Sequence, residues 1–289
     1  MGELEVLHPG LYSSIQDLGR NNFRKFGVPQ SGVMDSEAAK KANLILSNPE
    51  TDPVLEITQM GPKLKFSAPT RIAICGADLS PQINNSKVSN NKLISIAPGD
   101  ILSFGNRIFG CRAYIAVVGG FLSEKVLDSY SWYDEITERS ILSKSMLLKY
   151  PKLKMLSNSL NAGLKIDSAY IRSIRVQVYN GPEHDLLSPS QKELLLNTEF
   201  TVDAINNRMA IQLRELFENN LEPIITGPVL PGTVQLTPSG KLIVLMRDCQ
   251  TTGGYPRVLQ LSEEGINIIA QKVMGDPIRF DLIEIKLRR

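Results

Sequence analysis

A chain of 289 residues that is 42% hydrophobic and 21% charged, with 32 basic against 30 acidic residues, has the composition of a folded globular protein carrying no field of one sign. That balance argues against nucleic acid or an anionic membrane as partner. His8 and His184 are the only histidines, and Cys75, Cys111 and Cys249 lack metal-ligand spacing, so neither a zinc site nor a Ser-His-Asp triad is expected and no metal is assigned.

The opening Met-Gly-Glu-Leu-Glu-Val-Leu has no basic region leading into an apolar core, and no apolar run approaches a membrane span, so a cytoplasmic location with reduced thiols is expected. The length suits two subdomains, with boundaries expected at 1–122, a variable connection at 123–170, and 171–289.

Residues 4–7 read as a short strand stopped by Pro9-Gly10. A polar, glycine-broken stretch follows, from Ser13 through Gln16, Asp17 and Arg20 to Ser31, Gly32 and Asp35. It is too rich in Gly and Pro for a helix and is expected to be a loop whose backbone amides are free to meet an anion. Asp35 has a simpler task available, capping the helix expected at 36–46, where Ala38, Ala39 and Ala42 make an apolar face. From residue 54 onward short strands recur: 54–58, 63–66, 71–75, a hairpin about Asn84-Asn85, 92–96, 101–104 and 112–118. Such spacing points to a mainly β, closed or nearly closed antiparallel barrel, and no glycine-rich loop between a strand and a helix offers a nucleotide cradle.

After an aperiodic stretch, a strand at 173–179, a helix at 188–196 capped by Ser188 or Ser190, and short strands at 200–202 and 233–236 lead to the most informative region. Residues 242–246 are an uninterrupted apolar run, the signature of a strand buried on both faces. The chain then turns abruptly polar with Arg247, Asp248, Gln250, Thr251 and Thr252, followed by Gly253-Gly254, a pair that can take backbone angles closed to other residues. Tyr255-Pro256 closes the turn before an apolar stretch at 258–261, a helix at 263–272 and a last strand at 278–285. A polar strand end of this kind can hold a ligand, or it can be ordinary turn chemistry in which Asp248 caps its own backbone. Cys249, with no cation beside it in sequence, reads as core.

The chain resembles the family of C-type 5-oxoprolinase subunits, also called allophanate hydrolase subunit 2 or biotin-dependent carboxyltransferase subdomain B. The resemblance rests on Ser14-Ile15-Gln16-Asp17-Leu18-Gly19-Arg20 through Gly27-Val28-Pro29, Ser31-Gly32 and Met34-Asp35, and on Gly76-Ala77-Asp78, Gly110-Cys111-Arg112-Ala113-Tyr114 and Gly119-Gly120-Phe121. In the second half it takes in Gly181-Pro182, Asn207-Arg208-Met209, Pro231-Gly232, Asp248 and 251–256, so it covers nearly the whole chain. It implies a cyclophilin-like β-barrel architecture in two subdomains and a sister protein of related build, the B-type subunit. With a third oxoprolinase subunit such pairs open the lactam of 5-oxo-L-proline to glutamate with ATP, which this chain or a partner binds. Homologous modules in urea carboxylase receive carboxybiotin. No lysine here sits in a biotin-acceptor context, so biotin, where it takes part, arrives on another protein. A related pair is connected with a sporulation histidine kinase, this member opposing an inhibitory partner.

Two functional readings follow. In one the chain is an enzyme subunit acting on a small amide, lactam or urea-like substrate, with Asp17, Arg20, Asp35, Arg208 and Asp248 as the catalytic candidates. The substrate-binding candidates are then Gln16, Ser31, Gly32, Met209 and the run Thr251, Thr252, Gly253, Gly254 and Tyr255, and Arg20 with Ser31 and Arg208 with Thr251 through Gly254 are expected to share one hollow. The bland alternatives are an Asp17–Arg20 pair that only braces a loop, and a Tyr255 that only packs. In the other reading the chain is a non-catalytic regulatory subunit that antagonises a histidine-kinase inhibitor. Where the family carries Gly-Ser-Arg-Ser-Thr and a glycine-rich loop ending in Gly-Arg, this chain has 127–132 and 136–142 without the glycines, Tyr130 in place of the arginine, and Ala210 where glycine follows Met209. A phosphate or carboxylate contact from that loop is expected to be absent.

Overall fold

The computed structural model describes residues 1–152 and 168–284. The chain divides into two units, Met1–Arg20 with Ser31–Ile171, and Asn21–Gln30 with Arg172–Arg289.

In the first unit the strands are β1 (Gly2–His8), β2 (Tyr12–Gln16), β3 (Val54–Thr58), β4 (Lys63–Phe66), β5 (Thr70–Asp78), β6 (Pro81–Ile83), β7 (Ser86–Lys87), β8 (Leu93–Ile96), β9 (Ile101–Phe104), β10 (Phe109–Val117) and β11 (Leu147–Tyr150). They form two sheets, in the orders β11-β1-β4-β9-β6-β7 and β2-β3-β10-β5-β8. The period-2 pattern sets the facing sides. In β4 Leu64 and Phe66 turn inward while Lys63 and Lys65 stay exposed. Leu4, Val6, Leu64, Phe66 and Leu102 from one sheet meet Ile57, Ile72, Ile74 and Ile115 from the other in a single apolar core. β10 is buried on both faces because helix α1 (Ser36–Ile45) covers its far side, setting Ala38, Ala39 and Ala42 against Ala73, Cys75, Tyr114 and Ala116. The alanines let the helix approach the sheet closely.

Two expectations change here. Residues 13–16, read as loop, are the strand β2, because their backbone pairs with β3 from Tyr12↔Thr58 to Gln16↔Val54. The described part of the stretch 123–170 is built into the first unit: β11 pairs with β1, and Trp132, Leu142 and Leu148 join the core. Residues 153–167 of that stretch lie outside the described residues.

The second unit holds β12 (Arg175–Asn180), α2 (Pro189–Asn197), β13 (Phe200–Asn206), β14 (Ala210–Leu213), β15 (Gly227–Pro228), β16 (Thr233–Leu236), β17 (Leu242–Leu245), β18 (Thr252–Gly253), β19 (Arg257–Leu261), α3 (Glu263–Ala270) and β20 (Pro277–Leu282). Seven strands close into a barrel in the order β12-β19-β16-β17-β14-β13-β20. Closure comes from a parallel pair, β12 with β20, register Val176↔Phe280. Val176, Val178, Phe200, Val202, Val244 and Leu259 are all at most 1% exposed. α2 starts on a capping box: Ser188 Oγ accepts from Gln191 N, and Gln191 Oε1 accepts from Ser188 N. Of the last strand expected at 278–285, residue 285 lies outside the described residues. Among the described residues no helix is long and apolar enough to cross a membrane.

The β12–β19 junction depends on a missing side chain. A Cβ on Gly181 would lie 2.1 Å from the Arg257 carbonyl oxygen. Gly181→Ala is expected to cost about 1–3 kcal/mol or more, since backbone must move. Gly254→Ala, whose nearest neighbour would be Ile224 O at 3.7 Å, should change stability by less than about 0.5 kcal/mol. Urea unfolding followed by circular dichroism separates the two.

Candidate functional site

In the first unit the polar stretch ends up folded around buried carboxylates. Asp17, at the end of β2, accepts on Oδ1 from the Ser129 hydroxyl (2.6 Å), the Ser131 hydroxyl (2.6 Å) and Gly19 N (2.8 Å), and on Oδ2 from Tyr130 N (2.7 Å). Arg20 is 1% exposed and donates through Nη2 to the Ser131 carbonyl. Gln16 donates to Ser14 Oγ and the Trp132 carbonyl, and accepts from Gly32 N at 3.1 Å. The amides expected to await an anion are thus largely taken from within: Val33 N donates to Asp17 O, Met34 N to Glu56 Oε2 at 2.7 Å, and Asp35 N to Tyr114 OH at 2.8 Å. Ser31 is buried at φ +55°, and its hydroxyl has no hydrogen-bond partner among the described residues.

Asp35 caps α1 as expected, Oδ1 accepting from Ala38 N at 3.0 Å, while Oδ2 accepts from the Tyr170 hydroxyl at 2.7 Å. Burial, reinforced by the negative charge of Asp35, pushes the Tyr170 phenol up; burial followed by Glu56 and Asp35 does the same to Tyr114. Burial pushes the Cys75 thiol up to about 12, against a lowering by Lys41. Both tyrosines therefore stay neutral and act as fixed hydrogen-bonding groups. Asp17 and Asp35 thus spend their oxygens on amides and hydroxyls that hold the loop in shape.

The second unit carries the other candidates. Arg208 and Asp248 form a bidentate pair, Nε to Oδ2 at 2.7 Å and Nη2 to Oδ1 at 3.0 Å, with side chains 7% and 8% exposed. Asp248 N also donates to Arg208 O. Asn207 Oδ1 accepts from Met209 N and Ala210 N, which turns Met209 outward to 48% exposure. Beyond Asp248 the run Thr251 to Tyr255 is partly exposed and forms a rim. β18 within it pairs with β15, Gly227↔Gly253, and Val229 N donates to Thr251 O. Gly253 is needed for space and not for backbone angle: neither it nor Gly254 has positive φ, and a Cβ on Gly253 would sit 2.5 Å from Gln235 Nε2.

Three braces of this rim escaped the sequence reading. Arg24 donates to the carbonyls of Val229 and Gln250. Arg257 grips Glu183 at 2.8 and 2.7 Å and also donates to Pro228 O at 2.7 Å. Gln235 donates to Tyr255 O. The only signal for Arg257 was its place directly after Tyr255-Pro256; Arg24 and Glu183 gave none. The Arg257 guanidinium, through its hydrogen bonds, holds the Glu183 carboxyl below its ordinary range. Burial raises the Cys249 thiol despite the Arg24 cation beside it, so Cys249 is core, as its sequence context suggested. Of the sequence candidates, Gln16, Asp17, Arg20, Ser31, Gly32 and Asp35 fall in the first unit, and Arg208, Met209, Asp248 and Thr251 to Tyr255 in the second. Among the described residues no group of three or more His, Cys, Asp and Glu side chains is placed to hold a metal ion.

Removing one member of a buried ion pair leaves the other charge uncompensated. Arg208→Met and Asp248→Leu should each cost about 3–5 kcal/mol, while the double variant recovers a large part of the loss, measured by urea unfolding. The Glu183 carboxyl has a folded pKa below its usual 4.5, so its pairing stabilises above that value and is lost as pH falls through the folded pKa. The stability gap between wild type and Glu183→Gln should therefore shrink as the pH is lowered below 4.5.

Known proteins share this architecture. The chain is 29% identical over 284 residues to the C-type subunit of 5-oxoprolinase from Escherichia coli (strain K12), spanning 96% of this chain and 90% of that protein. The crystal structure of the K. lactis urea amidolyase matches 98% of this chain and 19% of its own at 26% identity, with a TM-score of 0.84. That of TTHA0988 matches at 24% identity with a TM-score of 0.87, and this chain spans 55% of its length, a likeness of fold alone. The sequence-level match to the carboxyltransferase domain, subdomain A and B, runs from residue 26 to residue 282, and the chain belongs to that family.

Proposed function

We propose that this chain is the C-type subunit of an ATP-dependent 5-oxoprolinase, opening 5-oxo-L-proline to L-glutamate together with a B-type sister subunit and a third subunit. The observation that carries the reading is the near-complete mutual coverage, 96% and 90%, with the C-type subunit of Escherichia coli 5-oxoprolinase, against 19% of the urea amidolyase chain. Arg208 is the cation for the anionic oxygens that activation of the lactam carbonyl creates, and Asp248 orients it. Thr252 and Tyr255 offer exposed hydroxyls on the adjoining rim, and a Cβ on Gly254 would meet only Ile224 O at 3.7 Å, so a substrate can approach the backbone there. ATP belongs to a partner subunit in this reading. The N-termini of α1, α2 and α3 already use a side-chain oxygen of Asp35, Ser188 or Ser262 on their first amides, and Asp35 brings a negative charge that opposes phosphate. Biotin, where it takes part, arrives on another protein.

A second reading, a regulatory subunit that opposes a histidine-kinase inhibitor, draws on the 129–131 segment. There two hydroxyls and one amide are consumed by the chain's own Asp17. The test is reconstitution: this chain, its co-expressed sister, the third subunit, ATP and 5-oxo-L-proline, with glutamate as readout. Glutamate formation is expected, with Thr252→Val and Tyr255→Phe each lowering kcat/KM by roughly 10–100-fold, the worth of one hydrogen bond to a charged group. A mixture that makes no glutamate with this chain, but does so with the Escherichia coli protein in its place, rejects the enzymatic reading in favour of the regulatory one.

A further inference from the structure

The first unit contains a recess of about 200 Å3 whose lining includes none of the candidate site residues, although the Trp132 carbonyl accepts from Gln16. Its floor is apolar, formed by Phe121, Trp132 and Leu148, all of which belong to the unit's core. Its rim carries charge of both signs: Glu124 and Glu138 on one hand, Arg139 and Lys149 on the other. The side chains of Glu138, Arg139 and Lys149 have no ion-pair or hydrogen-bond partner among the described residues, whereas most charged side chains lining the two candidate regions are engaged. Glu124 spends one oxygen on Glu138 N at 2.7 Å, which fixes the backbone from which Glu138 and Arg139 project. The Trp132 indole N–H is fixed by Ser123 Oγ at 2.9 Å, so the ring is held as a wall.

Size and charge narrow the occupant. Sites for drug-sized ligands run to roughly 300–1,000 Å3, so this recess takes a molecule of few heavy atoms and excludes a nucleotide. Two carboxylates against two cations make the rim neutral as a whole, which suits a molecule that is itself neutral but carries separated charges. A lone anion would meet Glu138 as well as Arg139, and a lone cation the reverse. We propose that this recess binds a small zwitterionic α-amino acid, its carboxylate on Arg139 and Lys149, its ammonium on Glu138, and its aliphatic part against Trp132 and Phe121. The site is separate from the residues assigned to lactam opening, and the inference holds whether or not that assignment does.

Trp132 is the single tryptophan of the chain, so its fluorescence reports on this recess without labelling. The full chain is titrated with L-alanine, L-proline and L-glutamate, beside butyrate and n-butylamine, and followed by Trp132 emission and by calorimetry. At least one amino acid is expected to shift the emission saturably and to bind at least about 10-fold more tightly than either single-charge compound, the worth of the second charged contact. Arg139→Gln and Glu138→Gln, both at exposed positions without partners, should leave the thermal midpoint unchanged and each weaken that binding by about 10-fold or more. No emission change and no heat with all three amino acids up to their solubility overturns the proposal. So does butyrate binding as tightly as the best amino acid, or amino-acid binding that neither variant weakens.

Discussion

A carboxylate with little access to water must be given donors or lose its charge, and the first unit is arranged around that requirement at Asp17. Its four donors come from the Gly19 turn and from Ser129, Tyr130 and Ser131, more than a hundred residues along the chain. The bonds are charge-assisted and so stronger than neutral ones. Breaking the set leaves either an unpaired buried charge or several orphaned donors. Glu56 and Asp35 repeat the device at shorter range, on Met34 N and Ala38 N. The polar loop of this unit is therefore already an anion-binding loop, and the anions it binds are its own.

The second unit uses the opposite sign. Arg24 and Arg257 donate to main-chain carbonyls at Val229, Gln250 and Pro228, and so fasten both strands of the small β15–β18 ribbon. Arg208 takes the carboxylate of Asp248 just before that ribbon. A guanidinium is suited to this work because its planar fork satisfies two acceptors at once without bending. The rim from Thr251 to Tyr255 thus rests on guanidiniums held by backbone carbonyls and by the carboxylates of Glu183 and Asp248, leaving its hydroxyls and glycines partly exposed.

Much of this architecture is local and was legible. The caps at Asp35 and Ser188, the alternation in Lys63–Phe66 and the apolar run that becomes β17 each depend on a few neighbouring residues. What was not legible depends on partners distant in sequence. The 13–16 segment became a strand because β3 supplied its ladder, and the barrel closed through a parallel pair joining the two ends of the unit, for which no hairpin signal exists. The glycines of the rim were found for the wrong reason: Gly253 makes room for Gln235, a contact that no turn rule contains. Asp17, Asp35 and Asp248 were picked out as candidates, and all three are buried with their oxygens engaged by partners within the chain.

The same accounting explains how the 127–142 segment can depart from the family pattern without loss of the fold. At Tyr130, where the resemblance places an arginine, the contribution to Asp17 is the main-chain N–H, which any residue but proline supplies. At Ser129 and Ser131 the contribution is the side-chain hydroxyl, and there the chain keeps serine. Position 130 was thus free to change what it presents outward: its ring now lies under Lys125 Nζ at 5.9 Å and brings no cation of its own. The brace constrains the loop's backbone and its two hydroxyls, and leaves the chemistry of its outer surface unconstrained.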